Sequence, residues 1–437
     1  MLAYQIRMAF LSLRRNPVLS ALLVGGIALG MAVATTFVNI HHLLAQDPLP
    51  SKSPQVFHVQ VDAWNPNRSY DEDNPDEPPD QLTYRDAMAI QGSDIPTYRS
   101  AMFKAQMTVH PAAADLRPFR AMGRLSTADV FPMFAMPFQF GAGWSRSADE
   151  GEERVVVLSF DTNIKLFGGE DSVGRRVRIE EEDFQVVGVL APWQPSPKFY
   201  DVTNGPYNPS EEIYLPISLA EPMEVRTAGN TNGWKFQSIT NYQERLDSEL
   251  TWLQLWVQLD DLHQKERFET WLNAYAMQQK ELGRMERPVN NRVRTVTEWL
   301  DNQEVVPAQA MTLTILSLLF LLVCAVNLIG ILLGKFLARA PEVGVRRALG
   351  ASKLSVFLHH LVECQLIGVL GCVVGLPLAI LTLTVTSRLI SAAEPFRLTP
   401  EMALVGVLLA LFAALVAGVY PAWRICRIPP ATYLKLQ

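Results

Sequence analysis

Four long apolar runs dominate the hydrophobic pattern of the chain. They lie at about residues 18–40, at about 308–334, within 361–389 and within 402–422. Each run is long enough for a helix that crosses a bilayer, which needs roughly 20 apolar residues. The first run also exceeds the apolar core of a signal peptide, which is about 7–15 residues long. We therefore predict a membrane protein with four transmembrane α-helices, the first of which is retained.

The segment between the first two runs carries short apolar stretches of mixed type. Helical spacing appears at 81–90 and, more clearly, at 263–282. Because strand and helix patterns alternate, we predict a large α+β periplasmic domain inserted between spans 1 and 2. The predicted strands lie at residues 56–61, 154–159, 175–179, 184–190 and 249–259. All four cysteines lie in or beside the last three spans, so no disulfide framework is expected in the insert.

Residues 62–80 interrupt the insert with a run rich in carboxylates, prolines and asparagines. This composition cannot bury an apolar core. It also lacks the spaced Asp/Asn and Gly residues of a calcium-binding loop. We predict a mobile external loop without a metal site.

Charge predicts the side of the membrane on which each segment lies. Of the 44 acidic residues, 40 fall between residues 46 and 306, together with 25 of the 38 basic residues. Basic residues accumulate in cytoplasmic loops. The basic residues that flank the spans on the opposite side are Arg7, Arg14, Arg15, Lys335, Arg339, Arg346, Arg347, Lys353, Arg424, Arg427 and Lys435. We therefore predict that both termini and the loop between spans 2 and 3 are cytoplasmic.

Motifs for catalysis or cofactor binding are nearly absent. The nearest imitation of a phosphate-binding loop, at residues 330–335, has the wrong spacing, lacks the hydroxyl residue and lies inside a span. The pairs His41-His42 and His359-His360 are adjacent, whereas two metal ligands on one helical face are four residues apart. We predict no enzyme activity, no directly bound cofactor, no metal and no nucleic-acid partner. If ATP drives this protein, ATP and Mg²⁺ act through a partner ATPase.

Small residues spaced four apart allow membrane helices to approach closely. This spacing occurs at Gly26 and Gly30 in the first span and at Gly371 and Gly375 in the third. It occurs again at residues 330 and 334 in the second span. Residues 1–16 read either as an amphipathic helix on the inner membrane surface or as a basic flank that sets topology.

Two polar side chains within the spans need partners. Asn327 lies inside the second span, and we expect it to form a hydrogen bond across helices. Glu363 lies near the start of the third span and is costly there unless it is paired. We expect an ion pair with a basic loop residue such as Arg346 or Arg347, with a proton-relay role as the alternative.

The loop between spans 2 and 3 has the signals of a short rigid helix. Pro341 suits a first helical turn, and Glu342 favours the positive N-terminal end of a helix. Arg346 and Arg347 favour its later part, and Gly350 can end it. A plain charged loop would explain the basic residues but not this order. The segment is suited to docking in a groove of a cytoplasmic protein.

The residues just described resemble a known family. The run from Asn327 through residues 339–352 to Glu363 resembles the FtsX-type permease domain. The closing stretch, residues 418–424 followed by Pro429, Pro430, Tyr433 and Leu434, is similar to the end of that family. In the insert, residues 123–137, 155–159, 166–168, 174 and 184–189 resemble the periplasmic core domain of MacB-type transporters.

This resemblance implies the permease subunit of an ABC transporter of the MacB, LolCDE and FtsX class, in the inner membrane of a Gram-negative bacterium. In that class two permease chains, identical or paralogous, pair with two ATPase subunits, and ATP hydrolysis changes the conformation of the periplasmic domain. MacB itself carries its ATPase at the N-terminus of the permease, and here we expect a separate ATPase chain. By motif, the residues that would contact the ATPase are Glu342, Val343, Gly344, Arg346, Arg347, Ala348, Leu349, Gly350 and Ser352.

The expected division of the chain follows from these assignments. It comprises a cytoplasmic amphipathic helix (1–16), the first span with the start of a stalk (17–45), the periplasmic domain (46–290), the stalk with the second span (291–336), the coupling element (337–354), the third span (355–390), a short periplasmic loop (391–400), the fourth span (401–422) and a cytoplasmic tail (423–437).

Three functions remain open within this class. The first is an exporter that works with a periplasmic adaptor and an outer-membrane channel. The second extracts lipoproteins from the membrane lipid and requires an exposed apolar surface on the insert. The third is an FtsX-like regulator of a periplasmic hydrolase, for which the insert is larger than the resemblance leads us to expect.

Overall fold

The computed structural model describes residues 2–111, 116–389 and 396–427. The chain forms two compact units. One comprises Met1–Ala45 with Val306–Gln437, and is called the membrane unit. The other is Gln46–Val305, called the insert domain. The predicted closing residues Pro429, Pro430, Tyr433 and Leu434 lie outside the described residues, as does part of the predicted loop 391–400.

Helices and strands alternate along the insert domain, whereas the described residues of the membrane unit form helices joined by short connections. In chain order the α-helices are α1 (Leu2–Arg15), α2 (Pro17–Leu44), α3 (Tyr84–Gln91), α4 (Val130–Met133), α5 (Arg146–Glu150), α6 (Phe160–Phe167), α7 (Tyr242–Leu246), α8 (Leu262–Glu281), α9 (Val296–Asn302), α10 (Ala308–Leu337), α11 (Ala340–Ala348), α12 (Lys353–Leu389) and α13 (Pro400–Cys426). The strands are β1 (Val56–Gln60), β2 (Leu82–Thr83), β3 (Tyr98–His110), β4 (Phe119–Ser126), β5 (Phe138–Gly141), β6 (Val155–Leu158), β7 (Arg176–Ile179), β8 (Glu182–Leu190), β9 (Ile213–Pro216), β10 (Thr251–Gln258) and β11 (Arg292–Thr295).

Four helices of the membrane unit, α2, α10, α12 and α13, are long and apolar enough to cross a membrane, which confirms the four predicted spans. Helix α2 packs against the other three, and α13 also packs against α10 and α12. Helix α1 packs against α12 and α2. The shared core consists mainly of small and branched apolar side chains, among them Leu23, Ile27, Met31, Ala410 and Ala414. Small residues permit the close helix packing that holds membrane bundles together.

The insert domain is built on one extended mixed sheet. The strand order is β11-β1-β10-β3-β4-β9-β6-β8-β5, with β2 on β10 and β7 paired with both β3 and β8. Pairing is parallel between β4 and β9 and between β6 and β8, and antiparallel elsewhere. The mixture of strand directions and packed helices confirms the predicted large α+β domain.

The central strands of the sheet carry apolar residues on both faces. In β10, Leu253, Leu255 and Val257 belong to one apolar core, whereas Trp256 belongs to a second. Neighbouring side chains in a strand point to opposite faces, so the two cores lie on the two sides of the sheet. His58 of β1 is 1% exposed, and its ring stacks on Trp299 with the ring centroids 3.8 Å apart. Burial lowers the pKa of His58 to about 3, and the Arg294 charge adds to the effect.

A fully buried group of charges ties the loop of residues 198–211 to the sheet. Arg124 Nη2 lies 2.5 Å from Asp201 Oδ2 and 2.5 Å from Glu211 Oε1, and Lys198 Nζ lies 3.1 Å from Glu211 Oε1. The Tyr200 hydroxyl donates to Glu211 Oε2 at 2.9 Å. Burial alone raises the pKa of Glu211, but the Arg124 and Lys198 charges outweigh it and hold the pKa at about 2. The carboxylate is therefore ionised inside the domain.

Most elements predicted in the insert are present. All five predicted strands correspond to β1, β6, β7, β8 and β10, and the predicted helix at 263–282 corresponds to α8. The prediction missed the other six strands described, β2, β3, β4, β5, β9 and β11, of which β3 is the longest. The predicted stalk at 291–336 was also wrong in its first part. Strand β11 pairs with β1, and α9 buries Trp299 in the domain core, so these residues belong to the insert domain.

Residues 62–80 form no regular element, as predicted, but they are not loosely held. Arg287 pairs with Asp62 at 2.8 Å and donates to the Pro75 carbonyl at 3.1 Å. Arg294 pairs with Glu77 at 2.6 Å. Because these arginines lie more than 200 residues away in sequence, composition alone did not reveal them. The prediction of a mobile loop was therefore wrong for the parts of the segment that carry these contacts.

Candidate functional site

The segment between α10 and α12 folds as the short helix α11, as predicted. Pro341 lies in its first turn, where a missing backbone N–H costs nothing. Gly350 follows the helix with φ +101°, a conformation that favours glycine. The Ala351 N–H donates to the Arg346 carbonyl at 3.0 Å and closes the C-terminal end. Ser352 then begins α12, because its hydroxyl accepts from the Ser355 N–H at 3.1 Å.

Helix α11 has one buried and one exposed side. Val343 and Gly344 are buried, and Val343 packs into the core of the membrane unit. Val345 is 48% exposed and Leu349 is 83% exposed, and Ala348 is also exposed. Of the residues predicted to contact a partner, Val343 and Gly344 therefore hold the helix in place. Val345, which lies one turn before Leu349, adds to the exposed apolar side.

A buried ion cluster lies directly before α11 and is called the Glu363 cluster. It consists of Ser12, Lys335, Arg339, His360 and Glu363. Lys335 Nζ lies 2.8 Å from Glu363 Oε1, and both side chains are fully buried. Arg339 Nη1 lies 3.6 Å from the same oxygen. The Ser12 hydroxyl donates to Glu363 and accepts from Arg339, so α1, α10 and α12 meet at one carboxylate.

The predicted ion pair of Glu363 with a basic residue between spans 2 and 3 is confirmed, but the two examples, Arg346 and Arg347, were wrong. Arg346 instead pairs with Glu342 one helical turn earlier, at 2.7 Å, on the surface of α11. Arg347 Nη1 donates to the Cys426 carbonyl at 3.1 Å and so joins α11 to the end of α13. The cation nearest to the Glu363 carboxylate is Lys335, in the last turn of α10.

The glycines predicted to permit close packing lie at two helix contacts. A Cβ built at Gly30 would lie 3.0 Å from a leucine side chain of α10, and one at Gly26 would lie 3.6 Å from another. On α12, a Cβ at Gly371 would lie 2.6 Å from Ile27 Cγ2 of α2, and one at Gly375 would lie 3.0 Å from the backbone of α2. Gly371 and Gly375 therefore have no space for a larger residue without a shift of α2.

Within the described residues Asn327 has no hydrogen-bond partner, so the bond across helices stays a prediction. Asn327 lies on the exposed side of α10. Gly330 and Gly334 lie one and two turns further along, and a Cβ built at either would meet no atom within 4 Å. Asn327, Gly330 and Gly334 thus form a polar, small strip at the end of an otherwise apolar exposed side of α10, which includes Phe320 and Val323.

Five residues that contribute to the site were not predicted. By sequence alone, Ser12 and Lys335 were only parts of a flank and a span end, and His360 was an interface histidine. Arg339 and Val345 were only parts of the family motif. A lysine at the end of one span and a glutamate at the start of the next form a readable signal, because two buried charges of opposite sign in a bilayer tend to pair.

The comparisons with known proteins agree with this architecture. Residues 20–275 match the family model described as MacB-like periplasmic core domain, and residues 314–430 match the model described as FtsX-like permease C-terminal. The first match alone covers more than half of the chain. The chain therefore belongs to the MacB/FtsX-type family of ABC transporter permeases and is an inner-membrane, multi-pass protein.

Individual relatives have low sequence identity to the chain, but the matches extend over nearly all of it. The chain is 23% identical over 433 residues to the macrolide export ATP-binding/permease protein MacB of Escherichia coli strain K12, and equally so to that of Shigella sonnei. Each match covers 99% of this chain and 60% of the relative. The chain thus corresponds to the permease portion and spans about 60% of the length of these relatives.

Two solved structures resemble the chain over its insert. The periplasmic region of MacB from Actinobacillus actinomycetemcomitans is 13% identical with a TM-score of 0.37, and the match covers 59% of this chain and 95% of that one. The extracellular domain of the noncanonic ABC-type transporter YknZ from Gram-positive bacteria is 14% identical with a TM-score of 0.34, covering 55% and 100%.

Proposed function

We propose that this chain couples ATP hydrolysis by a cytoplasmic ABC ATPase to a conformational change of the insert domain, and so drives export of a substrate from the periplasm. The observation that carries the proposal is α11. This helix presents Val345 and Leu349 to solvent, while Val343 anchors its other side in the core. An exposed amphipathic helix with a fixed base suits a groove of a partner protein.

The contacts around α11 provide a route for displacement. Arg339, immediately before α11, contacts Ser12 of α1 and Glu363 of α12. Arg347 contacts the end of α13. A displacement of α11 would therefore be transmitted to α1, α12 and α13. The insert domain begins directly after α2 and ends directly before α10, so movement of these two helices would change the separation of its ends.

We propose that a second permease chain, identical or paralogous, covers the exposed side of α10. Asn327 is without a hydrogen bond among the described residues, and an amide facing lipid is unfavourable. Gly330 and Gly334 on the same side leave room for a helix backbone, since nothing lies within 4 Å of a Cβ built there. Family membership supports a pair of permeases, and this side of α10 has the composition of a helix contact.

An export role is supported by the name of the curated relatives, macrolide export ATP-binding/permease protein. We propose that a periplasmic adaptor and an outer-membrane channel complete the system. Purification of the chain from its native membrane in mild detergent, followed by mass spectrometry, tests this part. An adaptor and a channel would support the exporter, whereas lipoproteins or a peptidoglycan hydrolase would favour one of the two alternatives. Absence of any ATPase would contradict the central proposal.

The coupling role is tested by a charge swap on α11, Glu342→Lys with Arg346→Glu. These side chains form an ion pair at 2.7 Å. The swap retains two opposite charges four residues apart and reverses the charges seen by a partner, while the less favourable order along the helix costs about 1 kcal/mol or less. We expect stimulated ATPase activity to fall at least about tenfold, because like charges across an interface cost several kcal/mol.

The matched control is the same swap on an exposed helix of the insert domain, Lys265→Glu with Glu269→Lys. Lys265 and Glu269 are also four residues apart in sequence and lie on α8, with Lys265 Nζ 3.8 Å from Glu269 Oε1. Both proteins should insert and purify equally. Unchanged stimulation in the α11 swap, or an equal loss in the α8 swap, would contradict a docking role for α11.

A further inference from the structure

A small pocket lies between α1, α11 and α12, beside the base of α11. Its volume is about 270 Å³. The side chains that line it and can donate a hydrogen bond are Gln5, Arg339, Arg346, Ser355, His359 and His360. Donors and cations gathered in one cavity are the chemistry that binds phosphate oxygens.

His360 provides an independent sign of a missing ligand. Its side chain is 4% exposed and lines the pocket, and neither ring nitrogen has a hydrogen-bond partner among the described residues. Nδ1 lies 3.7 Å from Glu363 Oε2, beyond hydrogen-bond distance, and the ring packs on Phe336. Buried polar groups without a partner are uncommon in proteins and call for an explanation.

The charge of the pocket favours an anion. Glu342 is the one acidic side chain among the described lining residues, and Arg346 neutralises it at 2.7 Å. Glu363 lies behind the pocket and is paired with Lys335 at 2.8 Å. The Arg339 guanidinium therefore leaves the pocket with a net positive charge.

Helix α1 indicates the depth at which the pocket lies. Its exposed residues include the apolar Ile6, Phe10 and Leu11 together with the basic Arg14 and Arg15. A helix with this pattern lies in the interface between lipid headgroups and acyl chains. Basic pockets between membrane helices on the cytoplasmic side bind the headgroups of anionic lipids.

We propose that this pocket binds a phosphate group, supplied by the headgroup of an anionic phospholipid. The phosphate oxygens accept hydrogen bonds from His360, His359 and Ser355 and pair with Arg339. Because α11 forms one wall, the bound headgroup holds the base of α11 against α1. Free phosphate has the same oxygen chemistry, and it differs from a lipid headgroup in that it cannot be retained through acyl chains.

The test uses the full chain in detergent, without an ATPase, so its outcome is independent of the proposed coupling. Native mass spectrometry measures how much phosphatidylglycerol and phosphatidylcholine the chain retains from micelles that contain equal amounts of each. The pocket variant combines His359→Gln with Arg346→Gln, both at partly exposed positions that tolerate substitution better than His360. The control is Arg15→Gln, which removes an exposed cation of α1 outside the pocket.

We expect the wild type and the control to retain phosphatidylglycerol selectively. The pocket variant should lose about fivefold in retention, because Glu342 is no longer neutralised by Arg346 and cancels the net positive charge of the pocket. A second readout is modification of His359 and His360 by diethylpyrocarbonate in phosphate-free buffer, which bound phosphatidylglycerol should slow. If inorganic phosphate slows the histidine modification and no lipid is retained, the pocket binds free phosphate and the lipid headgroup is excluded as its ligand. No selective retention and no protection, or equal losses in the pocket variant and the control, would overturn the proposal.

Discussion

Replacing Glu363 by Gln should destabilise the membrane unit more than replacing Lys335 by Met. Glu363 is the acid that neutralises both Lys335 at 2.8 Å and Arg339 at 3.6 Å. Its loss leaves two cations in a buried site, and breaking a buried pair in this way costs about 3–5 kcal/mol. Without Lys335, Arg339 still neutralises the carboxylate, so we expect a smaller cost of about 1–3 kcal/mol.

The double variant measures the interaction itself. With both Lys335→Met and Glu363→Gln, neither charge of the pair is left alone, and contacting residues couple by about 0.5–3 kcal/mol. We expect the double variant to lose about 2 kcal/mol less than the sum of the two single variants. The assay is unfolding of the full chain in mixed micelles with increasing dodecyl sulfate, followed by the helical circular dichroism signal, since eight of the nine tryptophans lie in the insert domain.

The control on the same helix is Thr382→Val. The Thr382 hydroxyl donates to the Leu378 carbonyl one turn earlier, at 2.8 Å, so its loss should cost less than about 1 kcal/mol. Equal costs for Glu363→Gln and Lys335→Met, with strict additivity in the double variant, would refute the reasoning. The same variants assayed with the ATPase should show reduced stimulation for Glu363→Gln although α11 is unchanged.

Three further predictions concern other parts of the chain. Leu349→Glu should change the free energy of unfolding by less than about 0.5 kcal/mol, because the Leu349 side chain is 83% exposed. The same substitution should abolish co-purification of the ATPase. Asn327→Leu should weaken association of the permease pair by about 1 kcal/mol, measured by energy transfer between labelled chains in vesicles. His58→Phe should flatten the pH dependence of unfolding of residues 46–305. The pKa of His58 is about 3 in the folded domain and rises to the ordinary 6.5 on unfolding, so only the unfolded chain takes up this proton as the pH falls below 6.5. Between pH 7.5 and 5 the wild type should therefore lose about 2 kcal/mol more than the variant.

The elements that sequence predicted best are those whose signal is local. The spans follow from uninterrupted apolar length, and α11 follows from a proline, an ordered set of charges and a closing glycine. Each of these signals acts within a few residues of the structure that it determines. The exposure of Leu349 and the burial of Val343 could not be predicted in the same way, because they depend on which side of α11 the other helices cover.

Strand β3 was missed although its pattern can be read. Ala101, Phe103, Ala105, Met107 and Val109 occupy one face of the sheet, in strict alternation. Alanine and methionine have weak strand propensity, and the polar face of β3, at Lys104, Gln106 and Thr108, covers only its second half, because Met102 is buried on that side. In β4 the same difficulty is greater, because Gly123 and the buried Arg124 interrupt the apolar pattern.

The acidic segment shows where composition misleads. Carboxylates and prolines indicate disorder only when no fixed cation is available to pair with the carboxylates. Arg287 and Arg294 supply those cations; Arg294 belongs to β11, and Arg287 lies five residues before the strand. The decisive contacts are therefore between segments that are distant in sequence, which a pattern of neighbouring residues does not contain.

The N-terminal helix illustrates how one buried contact changes an interpretation. From sequence, α1 was either a surface helix or a basic flank, and its exposed Phe10 and Leu11 fit the first of these. Neither reading gave a role to Ser12, which is 6% exposed and placed between Arg339 and Glu363. Arg339 adjoins α11, so a displacement of α11 must either move α1 or break a hydrogen bond between buried groups. The helix that sequence interpreted as a surface helix or a basic flank is thus mechanically part of the site at which we propose that the ATPase acts.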